Sequence, residues 1–270
     1  MELKNRVVVV TGATSGIGAA CAKAFGCKGA KIAITGRNKE KLEVERKILA
    51  DAGIEVLAIL ADAGSEADNK KMAEEVLAKF GRIDVLINNA GISMRALFQD
   101  LEMEVFRKVM DTNFWGTVYA TKYCLPSIME NRGSIVGISS INGYRGTPAR
   151  TAYSASKYAM NGFFESLRTE VMHKGVHILV ASPGFTASNI RNNALTATGE
   201  TQGASPRDEA NMMSSEDVAQ AILKATKKRK RDLVLTTQGK LAVFLNKWIP
   251  GIMDGVVYRE MAKEPESPFN

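Results

Sequence analysis

The pentad Tyr153-Ser154-Ala155-Ser156-Lys157 sets a phenol and an ammonium four residues apart. On a helix that spacing brings both groups to one face, about one turn from each other. A free tyrosine titrates near pH ~10, and a neighbouring cation favours phenolate, moving the group toward the range where a general acid or base works at neutral pH. Proton transfer is therefore the chemistry these two residue types offer. The string Y-x-x-x-K is common, so the rest of the chain must supply something for the proton to meet.

The elements that could carry such a helix are legible as apolar runs. Val7 to Thr11, Ile32 to Thr35, Val56 to Leu60, Val85 to Ile87, Ile135 to Ser139 and Ile178 to Ala181 lack alternation, as strands covered on both faces do. Between them lies helical punctuation. Ser65-Glu66-Ala67-Asp68 has the form of a capping box, and Gly81 and Gly53 stand where glycines end helices. Strand and helix in alternation predict an α/β fold, a doubly wound parallel sheet with helices on both faces. In that architecture ligands bind beyond the carboxyl ends of the strands, where the strand order switches.

The loops at those ends are informative. After the first strand comes Thr11-Gly12-Ala13-Thr14-Ser15-Gly16-Ile17-Gly18 and then a helical run. Glycines there let the backbone turn sharply and approach a pyrophosphate held at the helix N-terminus. The second strand ends Ile34-Thr35-Gly36-Arg37-Asn38, with no carboxylate for the ribose hydroxyls of NAD and an arginine for the 2′-phosphate of NADP. NADP(H) is thus expected over NAD.

The 270 residues, 45% hydrophobic and 24% charged, form an ordinary globular composition without a linker or internal repeat, and one domain over 1–270 is expected. Cys21, Cys27 and Cys124 form no C-x-x-C, and their odd number without a secretion signal suits reduced thiols and a cytoplasmic setting. The net charge of +7 does not by itself indicate nucleic acid. The cluster Lys227-Lys228-Arg229-Lys230-Arg231 reads as a solvated helix end, and His173 and His177 lack acidic or cysteine partners at metal-ligand spacing. Leu241-Ala242-Val243-Phe244-Leu245-Asn246-Lys247-Trp248-Ile249-Pro250, with that basic cluster upstream, leaves two readings open: packing on this or a neighbouring subunit, or an interfacial helix at a membrane surface. Lys263 to Pro268 reads as a disordered tail.

With the glycine loop, Asn88-Asn89-Ala90-Gly91, Asn113, Ser140 and Tyr153-x-x-x-Lys157 in this order, and Tyr153 thirteen residues after Ser140, the chain resembles the classical short-chain dehydrogenases/reductases through Ser188. The resemblance implies a Rossmann-type sheet of seven strands in the order 3-2-1-4-5-6-7. It implies a catalytic tetrad of Asn113, Ser140, Tyr153 and Lys157: Tyr153 protonates the substrate oxygen, Ser140 holds it, Lys157 tunes Tyr153 and binds the nicotinamide ribose, and Asn113 holds a relay water. The cofactor would meet Gly12, Thr14, Ser15, Gly16, Ile17, Gly18, Arg37, Asn38, Asp62, Ala63, Asn89, Ala90, Gly91, Pro183, Gly184, Thr186 and Ser188, besides Tyr153 and Lys157. A weaker likeness to 11β-hydroxysteroid dehydrogenase-like and lipid-linked members rests on Gly162-Phe163-Phe164 and the C-terminal pattern. Homodimers or homotetramers are implied as well.

Substrate-lining candidates are Ser140, Ile141, Asn142, Tyr144, Tyr153 and Phe185, with Leu195 and Met212 further out on a lid over about 185–213 whose Ser, Thr, Gly and Asn content suggests ordering on binding. A C-terminal extension covers about 238–270. The expected reaction interconverts a carbonyl and an alcohol. The alternatives are a non-catalytic NADP-binding regulator, which a broken tetrad would mark, and extended-type sugar-nucleotide epimerase or dehydratase chemistry, which prefers another glycine spacing.

Overall fold

A parallel strand with helices on both faces needs apolar residues at every position, and Val7–Val10 (β1) is buried at all four. Val8 and Val10 join a core with Cys21, Phe25, Leu42, Leu49 and Ile222, while Val7 and Val9 join another with Met72, Val76, Cys124, Ile128 and Phe164. The computed structural model describes residues 2–186, 189–203, 205, 212–264, 267 and 269.

The elements follow in the order β1, α1 (Gly16–Gly26), β2 (Lys31–Gly36), α2 (Lys39–Asp51), β3 (Val56–Leu60), α3 (Glu66–Phe80), β4 (Val85–Asn88), α4 (Met103–Met110), α5 (Gly116–Glu130), β5 (Ser134–Ile138), α6 (Thr151–Val171), β6 (His177–Ser182), α7 (Ser215–Lys227), β7 (Asp232–Val234), α8 (Thr237–Trp248) and α9 (Pro250–Ala262). The seven strands form one parallel sheet in the order β3-β2-β1-β4-β5-β6-β7, as the resemblance implies. Helices α1, α2 and α7 cover one face and α3, α5 and α6 the other. The order reverses between β1 and β4, so the loops after these two strands part and leave a crevice.

The helix signals are met with one change. Ser65 Oγ accepts from Asp68 N at 3.2 Å, and Gly81 closes α3 in the left-handed region. The capping box is not completed, because the Asp68 carboxylate accepts from Asp62 N at 2.8 Å and so ties α3 to the loop after β3. At the opposite end of the sheet the buried Asp84 carboxylate accepts from Arg6 and Arg82, each at 2.6 Å, and from Val7 N at 2.9 Å. Burying that charge is tolerable only with such partners.

The C-terminal extension is helical. Helices α8 and α9 pack on each other, and Asn246 Nδ2 donates to the Tyr144 carbonyl at 2.9 Å while Arg145 pairs with Asp254 at 2.7 Å. The expected disordered tail is corrected in part. Glu264 and Ser267 are buried, Glu264 between two arginines and Ser267 with its hydroxyl on the Met261 carbonyl, so polar partners anchor a segment whose composition reads as solvated. Pro265, Glu266 and Pro268 lie outside the described residues. Among the described residues no helix is long and apolar enough to cross a membrane.

Phe164 of α6 is fully buried against Gly137 of β5, where a Cβ would come within 2.2 Å of the ring. Phe164→Ala is expected to lower stability by about 3–5 kcal/mol in denaturant unfolding. A loss below ~1 kcal/mol would show that this contact does not hold α6 to the sheet.

Candidate active site

The glycine loop after β1 is built for close approach. Gly12 and Gly16 adopt positive φ (63° and 57°), and a Cβ on Gly12 would lie 2.7 Å from Ala90 Cα. On Gly18 it would lie 2.5 Å from the Gly12 carbonyl, so this residue seats the first turn of α1 on the loop. Ser15 precedes α1 and its side chain makes no capping bond, so the first amides of α1 face the crevice without that partner. Thr11 Oγ1 accepts from Asn89 N at 3.0 Å and Ala90 N at 3.1 Å, and Asn89 Nδ2 donates to the Thr11 and Gly12 carbonyls at 3.0 and 2.9 Å. Asn89 is therefore a clamp between the two loops.

Gly12, Thr14, Ser15, Gly16, Ile17, Arg37, Asp62, Ala63, Asn89, Ala90, Gly91, Pro183, Gly184 and Thr186 all border one cleft of about 950 Å³. Two expected cofactor contacts do not. Gly18 lies beneath the loop, and Asn38 is the N-cap of α2, its Oδ1 accepting from Lys41 N at 2.8 Å. Arg37 is exposed at the rim, beside Gly36, where a Cβ would strike Thr14 Cγ2 at 2.4 Å. Ser188 lies outside the described residues.

Asn113 sits in a π-helical turn, Asp111–Trp115, between α4 and α5. The wider turn swings its fully buried amide toward the loop after β4. Its Oδ1 accepts from Ile92 N at 2.8 Å, and its Nδ2 donates to the Ile92 carbonyl and to Ser156 Oγ, both at 2.9 Å. Asn113 does not border the cleft, and its side chain joins the β4 loop to α6. A Cβ on Gly91 would lie 3.2 Å from Asn113 Oδ1 and 3.6 Å from Lys157 Nζ, which makes Gly91 the spacer over both.

Tyr153 and Lys157 lie one turn apart on α6, and Ser140 follows β5, its Oγ accepting from Asn142 N at 3.2 Å; all three border the cleft. Burial raises the phenol above its ordinary value, while the Ser140 hydroxyl and the Arg150 and Arg191 guanidiniums act to lower it. Burial also pushes Lys157 down to about 8. Its Nζ donates to the Ile138 carbonyl at 2.8 Å and stands 5.7 Å from the Tyr153 ring centre. Arg150 and Arg191 thus add to the cationic surroundings of the phenol, beside Lys157 one turn along α6.

The substrate side divides similarly. Ile141, Asn142, Phe185 and Leu195 border the cleft, but Tyr144 does not. Its carbonyl accepts from Asn246 Nδ2 at 2.9 Å and from the Tyr158 hydroxyl, and it follows the 3₁₀ turn Ile141–Gly143. Met212 is off the cleft as well. The described part of the 185–213 segment is tied down: Leu195 N donates to the Ser93 carbonyl at 2.9 Å, Arg95 N to the Leu195 carbonyl at 2.8 Å, and Leu195 packs with Met94, Val105 and Ala152. Apolar side chains of α8 and α9, among them Leu245, Met253 and Val257, close the outer end of the cleft.

Arg150, Arg191 and Glu264 also border it and have no motif to announce them; only the position of Arg150, three residues before Tyr153, gives a local signal. Of the remaining candidates, His177 is structural, with its ring nitrogens on Ser134 Oγ (3.1 Å) and the Lys230 carbonyl (2.8 Å). Cys21 and Cys124 are buried core thiols pushed up to about 12.

Comparison with known proteins agrees with this arrangement. The family model described as short chain dehydrogenase matches residues 6–198. The chain is 42% identical over 274 residues to dehydrogenase/reductase SDR family member 7B of Mus musculus, covering 98% of this chain and 84% of that protein. It is 34% identical over 268 residues to dehydrogenase/reductase SDR family protein 7-like of Drosophila melanogaster, covering 97% and 82%. Among solved structures it is similar to a short chain dehydrogenase/reductase from Burkholderia phymatum in complex with NAD, with a TM-score of 0.84 at 22% identity over 93% of this chain and 96% of that one. The apo form of LigD from Sphingobium sp. strain SYK-6 gives a TM-score of 0.78 at 24% identity, over 93% and 97%. With the matched region running from the glycine loop through the Tyr153–Lys157 helix, the chain belongs to the short-chain dehydrogenase/reductase family of oxidoreductases.

Proposed function

We propose that this protein is an NADP(H)-dependent oxidoreductase that interconverts a bulky, apolar carbonyl compound and its alcohol. The observation that carries the reading is that Ser140, Tyr153 and Lys157 share the wall of a cleft whose opposite end is the glycine loop. The cleft fits a dinucleotide because Gly12 lets the β1 loop close on Ala90, Gly36 lets Thr14 pack over the end of β2, and the first turn of α1 offers amides to a pyrophosphate. Arg37 would hold the 2′-phosphate, Asp62 the adenine, and Asn89, Ala90 and Gly91 the wall beside the ribose. When bound, the reduced nicotinamide supplies the hydride for the carbonyl carbon.

The chain's own residues handle the oxygen. Ser140 donates a hydrogen bond to it as charge develops, and Tyr153 delivers a proton to it. Burial keeps the phenol protonated at neutral pH, so the acid form is ready for reduction. Lys157, held by the Ile138 carbonyl, places a positive charge beneath the site and is the group that would grip the nicotinamide ribose. Asn113 fixes Ile92 and Ser156, and through them the spacing of Gly91 from α6.

The apolar outer end favours a bulky substrate. Leu241, Phe244, Trp248 and Ile252 are exposed on α8 and α9 near Lys240 and Lys247, which supports contact with a lipid surface from which such a substrate is drawn. Assembly as a homodimer or homotetramer belongs to the same reading.

Three measurements test it. NADPH consumption against a panel of long-chain and polycyclic ketones is expected to give turnover that Tyr153→Phe lowers by about 10²–10⁴-fold, the usual weight of a positioned general acid; an unaltered rate in the variant would remove Tyr153 from the mechanism. Arg37→Ala is expected to weaken NADP(H) binding at least ~10-fold and leave NAD(H) nearly unchanged, so a constant NADP to NAD affinity ratio would be the contrary result. The pH dependence follows from the shifted groups. Lys157 loses its charge as pH rises through about 8, whereas the phenol, raised by burial, still holds its proton there. Reductive kcat/KM should be level near neutrality and decline through about pH 8, and a flat profile across that range would show that the Lys157 charge is not needed.

A further inference from the structure

An acidic side chain from the end of the chain reaches the catalytic wall. Glu264 follows α9, two residues past its last turn, yet its side chain is only 6% exposed. Its Oε2 lies 3.7 Å from a guanidinium nitrogen of Arg95 and 3.7 Å from one of Arg150, whose side chains are 7% and 12% exposed. These arginines belong to different walls. Arg95 lies in the segment after β4 that bonds Leu195, and Arg150 immediately precedes α6, one turn before Tyr153. The next backbone unit upstream is constrained too: Ala149 holds a left-handed φ of 56°, and its carbonyl accepts from Ala96 N at 3.2 Å and from Arg150 Nη1 at 3.1 Å. A carboxylate that deep in the protein is weakly screened by water and salt, so its charge is felt by its neighbours.

We propose that Glu264 is a positioning residue of the catalytic centre, its carboxylate holding Arg150 at the start of α6 and limiting how much of that guanidinium's charge reaches the Tyr153 hydroxyl. The proposal rests on the proton-transfer role given to Tyr153 above. Around the phenol stand the Ser140 hydroxyl from the loop after β5, Arg150 from the start of α6, Arg191 from the segment after β6, and Lys157 one turn further along α6. Around Glu264 stand Arg95 and Arg150, with Glu260 of α9 bordering the same cleft. Arg150 favours the phenolate, and a carboxylate paired with Arg150 opposes that pull. Removing the carboxylate therefore makes Tyr153 ionise more readily, and removing Arg150 does the reverse. Because Glu264 acts through Arg150, its effect should vanish where Arg150 is absent.

The test titrates Tyr153 itself in the full-length chain, as the phenolate absorbance that disappears in the Tyr153→Phe version of each background. Glu264→Gln is expected to move this ionisation to lower pH, Arg150→Gln to higher pH, and the double variant to coincide with Arg150→Gln. The pH at which oxidative kcat/KM rises should follow the same order. An ionisation unmoved in a folded Glu264→Gln protein, or moved equally with and without Arg150, would overturn the proposal; a tail that only anchors α9 would lower the melting temperature and leave the ionisation in place. Should Glu264→Gln fail to fold, Arg95→Gln reads the same circuit: with one of the two guanidiniums beside the carboxylate removed, more of its charge opposes Arg150 and the ionisation should rise, and no movement would count against the proposal. A shifted ionisation without turnover on any carbonyl defeats the oxidoreductase reading and leaves this one standing. Turnover with unmoved ionisation does the opposite.

Discussion

Every part of the site depends on how the loops after β1 and β4 are joined across the reversal in strand order. The sheet ladder reaches only as far as Thr11 N, which donates to the Ile87 carbonyl at 3.0 Å, and beyond it the crevice begins. The Thr11 hydroxyl and the Asn89 amide make the junction by linking backbone to side chain in both directions. The approach is close enough that Gly12 tolerates no Cβ against Ala90. Once the loops are held this way, one side of the crevice offers the first turn of α1 and the other offers Gly91, above Asn113 and Lys157. A dinucleotide site and a proton-transfer site become parts of one cleft because a single junction sets the distance between them.

The electrostatics of that cleft follow from burial more than from any one charge. Burial opposes ionisation of the phenol and opposes protonation of the ammonium, so it moves Tyr153 up and Lys157 down. Hydrogen bonds and charges from four chain segments then adjust the balance. Ser140 and the arginines at 150 and 191 favour the phenolate, and Glu264 neutralises part of that cationic field from the far end of the chain. A cleft so lined is net positive on the protein side, which suits an anionic cofactor and a substrate oxygen that gains negative charge.

The fold was largely legible because its determinants are local. Val7 to Val10 must be a strand covered on both faces, Ser65 must begin a helix and Gly81 must end one, and each of these follows from side-chain type and spacing without tertiary knowledge. The glycine loop and the Tyr153–Lys157 pair are legible for the same reason. Asn38 and Tyr144 take local roles that their motifs do not announce. Asn38 sits one residue before α2 and caps it, an outcome its type favours, and Tyr144 follows the 3₁₀ turn after Ser140 and lies off the cleft.

The groups that tune Tyr153 were illegible on different grounds. Arg191 and Glu264 act across 38 and 111 residues of sequence, through contacts that only the packing of α8, α9 and the segment after β6 creates. Composition points the other way for Glu264, since a Lys-Glu-Pro-Glu-Ser-Pro stretch reads as solvated chain. What reverses the reading is the pair of largely enclosed arginines at positions 95 and 150. Two confined guanidiniums make a carboxylate at that point favourable, and they draw in whatever acidic residue the C-terminal helices can deliver. Glu264 is therefore buried by a charge requirement that arises at the active site, and its sequence could signal that role only to a reader who already knew where Arg95 and Arg150 meet.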